Sequence, residues 1–226
     1  MRRQGYAHPR VHWSAKTAIL DHVESSEQCF LSPAALMTQF ESVAECGRPV
    51  VVAIDGRSGS GKSTLARRMA EGREGVAIVA TDDVAWHESF FEWGGLLIRG
   101  VLGPLRASGP PVGFRPPAWQ RLGRPGAIEI PAETRTIILE GVGAGRDELS
   151  RFVDHVIWIH IEPSAARARL LARGCSDGRP ESPRFVDDWL EAEQDFLDVD
   201  RPWERADVVV DAARTGRAGA LSVVRR

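Results

Sequence analysis

The chain is nearly devoid of lysine: of its 29 basic residues only Lys16 and Lys62 are lysines, and the other 27 are arginines. Cysteine is scarce as well. Cys29, Cys46 and Cys175 are odd in number and lack metal-ligand spacing, which argues against a disulfide framework or a zinc site and fits idle thiols in a reducing cytosol. No uninterrupted apolar segment is long enough to span a bilayer, so a helical membrane anchor is not expected and a cytoplasmic location is. Neither sign of charge predominates. With 29 basic against 31 acidic residues and a net charge of −2, nucleic acid and anionic membranes are not the expected partners. At 226 residues the chain suits one domain with an extension and can bury a substantial core.

Against that lysine-poor background, one lysine stands in a telling place. Gly56-Arg57-Ser58-Gly59-Ser60-Gly61-Lys62-Ser63 fits G-x-x-x-x-G-K-[ST], follows the apolar run Val50–Ile54 and precedes the helix-compatible Thr64–Ala70. In such strand–loop–helix context the glycines let the backbone wrap a phosphate, with N–H groups converging at the helix N-terminus. Lys62 then neutralises the β- and γ-phosphates, and the Ser63 hydroxyl can ligate Mg²⁺. The fixed positions alone arise by chance in about one chain in a hundred of this length, and the flanking strand and helix reduce that further. A compact ammonium here, where arginine is the default cation, points to a site a planar guanidinium would fit poorly. The motif predicts a site for ATP with Mg²⁺, in which Gly56, Ser58, Gly59, Ser60, Gly61, Lys62, Ser63 and Thr64 contact the nucleotide.

The remaining pattern predicts an α/β fold: a five-stranded, mostly parallel sheet with helices on both faces, a substrate-side insertion and an N-terminal extension. Residues 1–48 form the extension. Its first twenty residues carry Arg2, Arg3, Arg10 and Lys16 and no acid, but lack the amphipathic period of a transit peptide. Ser32-Pro33 reads as an N-cap with proline at the first helical position, opening a helix that runs to about Cys46 and stops at Gly47. Residues 49–226 form the nucleotide-binding domain. Its strands are expected at Val50–Ile54, Val76–Thr81, Thr136–Leu139, His155–Ile161 and Ala206–Val210, with helical segments between them. Residues 84–135 are too long for a simple crossover. Within them Phe90, Trp93, Leu97, Val101 and Leu105 recur at helical spacing, and Val112–Phe114 can pair with Ala127–Ile130 as a hairpin. Located beyond the second strand, this insertion can close over whatever lies beside the γ-phosphate.

In a parallel sheet the carboxyl ends of the strands line the ligand crevice. Three such ends carry the phosphate loop, Asp82-Asp83 and Glu140. A carboxylate there can hold Mg²⁺ through water or accept the proton of an attacking hydroxyl. The plainer alternatives are a turn pair for the two aspartates and an ordinary strand-end acid for Glu140.

Ile54-Asp55-Gly56 through Ala66, Asp83-Val84-Ala85-Trp86 and Ile138-Leu139-Glu140-Gly141 together resemble the uridine kinase-like branch of the P-loop kinases. In that family one strand ends in an aspartate followed three residues later by an aromatic, and a later strand ends in Glu-Gly. The resemblance implies that Asp83 is the base or hydroxyl-orienting carboxylate, its spacing to Trp86 setting it apart from Asp82. It also implies that Ser63, Asp83 and Glu140 organise Mg²⁺, directly or through water. Arg167-Ala-Arg169-Leu-Leu-Ala-Arg173 with Asp177-Gly178-Arg179 looks like the family's arginine-bearing lid, spanning residues 163–180, in which Arg169 and Arg173 share a helix face.

The resemblance covers roughly residues 50–210 and has departures. Gly174 stands where the family lid usually carries aspartate after its arginine. The family's Tyr-Asp-Phe and nearby histidine for nucleoside binding have no counterpart in Gly113-Phe114-Arg115-Pro116-Pro117. His87, Phe114, Arg115 and Trp119 are candidates for acceptor contacts, with simple packing as the alternative; Trp158, inside a strand, reads as core. Neither an L-S-G-G-Q-like signature nor N-K-x-D is present, which excludes a transport ATPase and a guanine-specific switch. The expected function is a small-molecule kinase transferring the ATP γ-phosphoryl to a metabolite hydroxyl, a nucleoside such as uridine among the candidates. The alternative is a non-catalytic or regulatory ATP-binding protein; a homo-oligomer is open in either case.

Overall fold

The computed structural model describes residues 28–43, 47–176, 182–216 and 219–225. The expectations made for the first 27 residues, for Cys46 and for Asp177-Gly178-Arg179 lie outside them. So do the side chains of Arg173, Gly174 and Cys175, although their backbone is helical.

The strands are β1 (Gln28–Leu31), β2 (Val50–Gly56), β3 (Val76–Ala80), β4 (Val112–Phe114), β5 (Ile128–Ile130), β6 (Thr136–Glu140), β7 (His155–His160), β8 (Val208–Thr215) and β9 (Leu221–Arg225). Seven of them form one sheet in the order β1-β9-β8-β7-β2-β6-β3. The five strands expected from the sequence are its parallel part, β3-β6-β2-β7-β8. The expected count of five is corrected to seven, because β9 pairs antiparallel with β8 and β1 antiparallel with β9. Both added strands are short, β1 at the sheet edge and β9 between it and β8, and their pairing is decided by the neighbour they meet, not by a pattern of their own. The first strand of the fold thus comes from within residues 1–48. The fifth expected strand also moves: it begins at Val208, after a 3₁₀ turn at Pro202–Arg205, and continues to Thr215.

Alternation along the strands divides the core into two layers. On one face Val52, Ile54, Ile138, Ile157 and Ile159 meet α1 (Pro33–Ser42) through Leu36, Met37 and Phe40, and α2 (Lys62–Ala70) through Leu65 and Met69. The helix opening at Ser32 is as expected, with Ser32 Oγ accepting from Ala35 N at 3.1 Å, but it ends at Ser42. On the opposite face Val51, Ala53, Ile137, Leu139 and Trp158 are covered largely by the insertion. Its helical stretch starts at Gly94, later than the periodicity suggested, as α4 (Gly94–Leu97), a π-turn segment (Ile98–Leu102) and α5 (Gly103–Ser108). Trp93, Leu97, Val101 and Leu105 are buried on it, while Phe90 precedes it and is exposed. The hairpin forms as expected, Val112 opposite Ile130 and Phe114 opposite Ile128, with α6 (Pro117–Arg121) at its tip. The insertion therefore builds half of the core as well as flanking the strand ends.

Strand β2 lies between β6 and β7, so the chain leaves it in one direction for β3 and β6 and returns on the other side for β7 and β8. That reversal opens a crevice at the carboxyl ends of β2 and β6, where the phosphate loop starts. Around it lie α3 (Thr81–Ala85), after β3, and two long helices, α7 (Pro163–Ser176) and α8 (Pro183–Asp200).

Candidate active site

The phosphate loop is held open by its glycines. Gly56 has φ +148°, and a Cβ there would lie 2.6 Å from Ile159 O; Gly59 has φ +77°, and its Cβ would lie 2.9 Å from Ala166 O. Gly61, at φ +105°, precedes α2 without any side-chain cap, which leaves the first-turn amides of this nine-residue helix free for an anion. Lys62 Nζ turns back over the loop and donates to Gly56 O at 2.8 Å and Arg57 O at 2.9 Å. Burial pushes its ammonium below the usual lysine range, opposed by the charges of Asp55, Glu193, Glu140 and Asp82. Four carboxylates thus act on this ammonium, of which Glu193 also pairs with Arg57 and Glu140 also feels Arg67. Ser60 Oγ is buried inside the loop with no hydrogen-bond partner among the described residues, a donor and acceptor that an incoming phosphate would satisfy.

Glu140 ends β6 beside this lysine. Burial raises its carboxyl's pKa above the ordinary value, against the pull of the nearby Ser63 hydroxyl and the Lys62 charge. The glycine after it is obligatory: Gly141 has φ +145°, and a Cβ there would collide with Thr81 Oγ1 at the start of α3. Glu-Gly at this strand end therefore serves close approach to the neighbouring strand end as well as chemistry.

The two aspartates of α3 part company. Asp82 is among the charges felt by both Lys62 and Glu140, which places it on the phosphate side. Asp83 is tied to the insertion instead. Its Oδ1 accepts from Arg124 Nη2 at 2.5 Å and its backbone O accepts from Trp119 Nε1 at 2.9 Å. The Arg124 guanidinium lies 3.6 Å from the Trp119 ring centroid and 5.3 Å from that of Trp86, a stacked arrangement that fixes it as firmly as its ion pair does. The sequence singled out Trp86 and Trp119 but not the arginine seated on them; an arginine in an arginine-rich chain carries no signal until its neighbours are known.

The other acceptor candidates separate in the same way. Trp119 is buried and forms the wall behind Asp83. His87 is exposed, in the left-handed region at φ 59°, with its ring edge-on to Trp86 at 4.3 Å. Phe114 packs onto the insertion core against Gly100. Arg115 donates to the Arg124 carbonyl at 3.0 Å and so supports the Arg124 turn. Of the arginines on α7, Arg169 reaches the phosphate loop, donating to Gly59 O at 3.3 Å. Arg167 faces away and pairs with Asp187 of α8 at 2.7 Å. Thr64 is exposed in the first turn of α2.

Three further residues bear on the loop and were not foreseen. Asp55, the last side chain before the loop, is fully buried and accepts from Gly56 N at 2.7 Å, Gly143 N at 2.9 Å and Gly145 N at 2.8 Å. Burial raises its pKa to about 6 in spite of those bonds. It locks the segment after Glu140 to the root of the loop. Glu193 of α8 is also fully buried and accepts from Ser58 N at 2.7 Å. Trp189, one turn earlier, donates to Ser58 Oγ at 2.8 Å. A readable signal existed for Glu193: it shares the buried stripe of α8 with Val186 and Leu197, where an acid must have a partner.

The oxygen donors Ser63, Glu140 and Asp82 suit a hard cation that shares its shell with phosphate and water. No cluster of three or more His, Cys, Asp or Glu side chains able to hold a metal by itself occurs among the described residues. No described helix is long and apolar enough to cross a membrane.

No family model matches the chain, and no curated protein matches it. Solved structures do. A possible uridine kinase from Bacillus stearothermophilus superposes with TM-score 0.53 at 22% identity, covering 78% of this chain and 96% of that one. A proposed fructose transport system kinase from Silicibacter sp. TM1040 gives TM-score 0.42 at 23% identity, covering 78% and 95%. The YGR205w protein gives 0.47 at 13% identity, covering 93% and 96%. The first of these is close enough to establish the architecture: the chain shares the fold of that structure, a mostly parallel α/β sheet with helices on both faces.

Proposed function

We propose that this protein is an ATP-dependent phosphotransferase of the uridine kinase-like type, moving the γ-phosphoryl group to a hydroxyl of a small metabolite. The observation that carries the reading is the convergence of Lys62, Ser63, Glu140 and Asp82 at adjoining strand ends, below the free amides of α2. The triphosphate lies along Gly56–Thr64, its charge answered by the Lys62 ammonium and the uncapped first turn of α2. Ser63, Glu140 and the aspartates of α3 would hold Mg²⁺, which would supply positive charge to offset that of the phosphates. Asp83 stands on the insertion side, steadied by Arg124 and Trp119. There it orients the acceptor hydroxyl and takes its proton as oxygen attacks phosphorus and ADP departs. Arg169, beside Gly59, and Arg173, further along the same helix, supply charge to the phosphoryl group in flight. His87 and Trp86 border the acceptor side; with no counterpart of the family's nucleoside motif, a nucleoside such as uridine is one member of the acceptor class to be tested.

One observation favours the second reading, a regulatory ATP-binding protein: the Asp83 carboxylate is already engaged by Arg124. A single experiment separates the two. Purified protein with Mg²⁺-ATP is screened against nucleosides and sugar-like alcohols while ADP release is followed. Acceptor-dependent ADP release supports transfer; tight ATP binding with no release for any acceptor supports the binder.

A further inference from the structure

Helix α8 grips the phosphate loop from outside the nucleotide site. Glu193 holds Ser58 N, and its other carboxylate oxygen lies 3.5 Å from Arg57 Nη1. Trp189, four residues earlier and so on the same helix face, holds Ser58 Oγ. The loop residues Gly56 and Arg57 are held from within by Lys62. Ser58, which no inner contact fixes, is therefore set by α8 through both its amide and its hydroxyl.

The same tryptophan is the seat of the insertion. Phe91 lies against Trp189 with ring centroids 5.5 Å apart and planes 30° from parallel, and Phe90 meets it edge-on at 4.9 Å. One indole thus touches the acceptor-side segment with its ring and the nucleotide loop with its N–H. A side chain with two partners and a single rotamer transmits any displacement of one to the other, because a packed interface shifts as a unit.

Resting on the nucleotide-binding reading above, we propose that Trp189 and Glu193 are positioning residues for the phosphate loop, and that Trp189 couples the Phe90–Phe91 segment of the insertion to nucleotide affinity. The coupling runs both ways: whatever draws the segment onto α8 tightens the loop, and nucleotide in the loop firms the segment.

The test is a mutant cycle read by calorimetric titration with the Mg²⁺ complex of the non-hydrolysable analogue AMPPNP. Trp189→Phe removes the N–H with the five-membered part of the indole while keeping an aromatic ring toward Phe90 and Phe91, and Ser58→Ala removes only its acceptor. Each should weaken binding about three- to tenfold, the scale of one hydrogen bond, and the double variant should be no weaker than the weaker single. Phe91→Leu, which is remote from the loop, should weaken binding in the wild-type background and have no effect once Trp189 is phenylalanine. Glu193→Gln, which can still accept from Ser58 N but loses its charge, should fall between wild type and Trp189→Phe. A merely structural role would lower melting temperature and affinity in parallel and give additive effects. If wild type binds AMPPNP and the variants bind equally well, or their losses add, the coupling is refuted and the nucleotide reading stands. If wild type binds no nucleotide, the functional reading falls first. Should Trp189→Phe fail to fold, Ser58→Ala with Phe91→Leu closes the same cycle.

Discussion

Replacing Lys62 by methionine removes the ammonium while keeping the length and apolar stem of the side chain. In the resting loop the ammonium makes two hydrogen bonds, at 2.8 and 2.9 Å, and is surrounded by Asp55, Glu193, Glu140 and Asp82. A triphosphate entering without that cation meets the same carboxylates, offset only by Arg57 at Glu193 and by the charge of Arg67 at Glu140. Loss of one charge-assisted contact alone removes about 1.5–3 kcal/mol of binding, or about 10- to 150-fold in affinity, and the exposed repulsion adds to it. Stability should barely respond. The two carbonyls lose their donor, but a desolvated charge is also removed, and the net change should stay within about 1 kcal/mol. The sign of the pH dependence follows from burial. In the free protein Lys62 loses its proton at lower pH than an ordinary lysine; bound phosphate favours the charged form and raises that pKa. Binding therefore takes up a proton in the alkaline range, and affinity falls as pH rises. Calorimetry with Mg²⁺-AMPPNP across that range, with buffers of different ionisation enthalpy, measures affinity and proton uptake together. Lys62→Met should bind weakly and show no uptake, and Lys62→Arg should recover little because a planar fork does not match the two carbonyls. Wild-type affinity in Lys62→Met, with wild type itself binding, would refute the assignment.

Other variants address the carboxylates. Asp83→Asn should lower turnover by about two to four decades with little change in ATP affinity, and should cost less than about 1 kcal/mol of stability because its pair with Arg124 is partly exposed; a fully active Asp83→Asn beside a dead Asp82→Asn in the same steady-state assay would transfer the base to Asp82. Gly141→Ala should destabilise the protein by about 3 kcal/mol through its positive φ, with more from the collision with Thr81, as read by urea denaturation; a wild-type midpoint would contradict the close approach of β6 to α3. Asp55, with its pKa raised to about 6, favours the folded state in its protonated form. Its contribution is full below pH 4 and is lost as pH rises through 6, amounting to about 3 kcal/mol. Asp55→Asn should flatten that part of the stability–pH curve, and an unaltered slope in chemical denaturation between pH 4 and 7 would overturn the assignment.

Short-range pattern was enough to find much of this molecule. The five parallel strands declared themselves because each is a β-branched or apolar run, and the phosphate loop because Gly56, Gly61, Lys62 and Ser63 stand at the fixed positions of an anion-wrapping pattern. The Ser32-Pro33 helix start, the buried stripe from Trp93 to Leu105 and the small hairpin were legible for the same local reasons. What escaped was whatever depends on a partner distant in sequence. Strands β1 and β9 exist because an edge was free to receive them. Sequence spacing set Asp83 apart from Asp82, yet which one faces Lys62 and which meets Arg124 depends on the turn of α3 and on a hairpin about forty residues further on. Glu193 is an acid on a helix until burial brings it to Ser58 across 135 residues. The sequence by itself determined the five parallel strands and the glycine-rich loop between β2 and α2, since those rest on backbone conformation and local periodicity. Only the tertiary structure decided which charges surround Lys62 and which helix steadies the loop, because electrostatics and packing act through space and not along the chain.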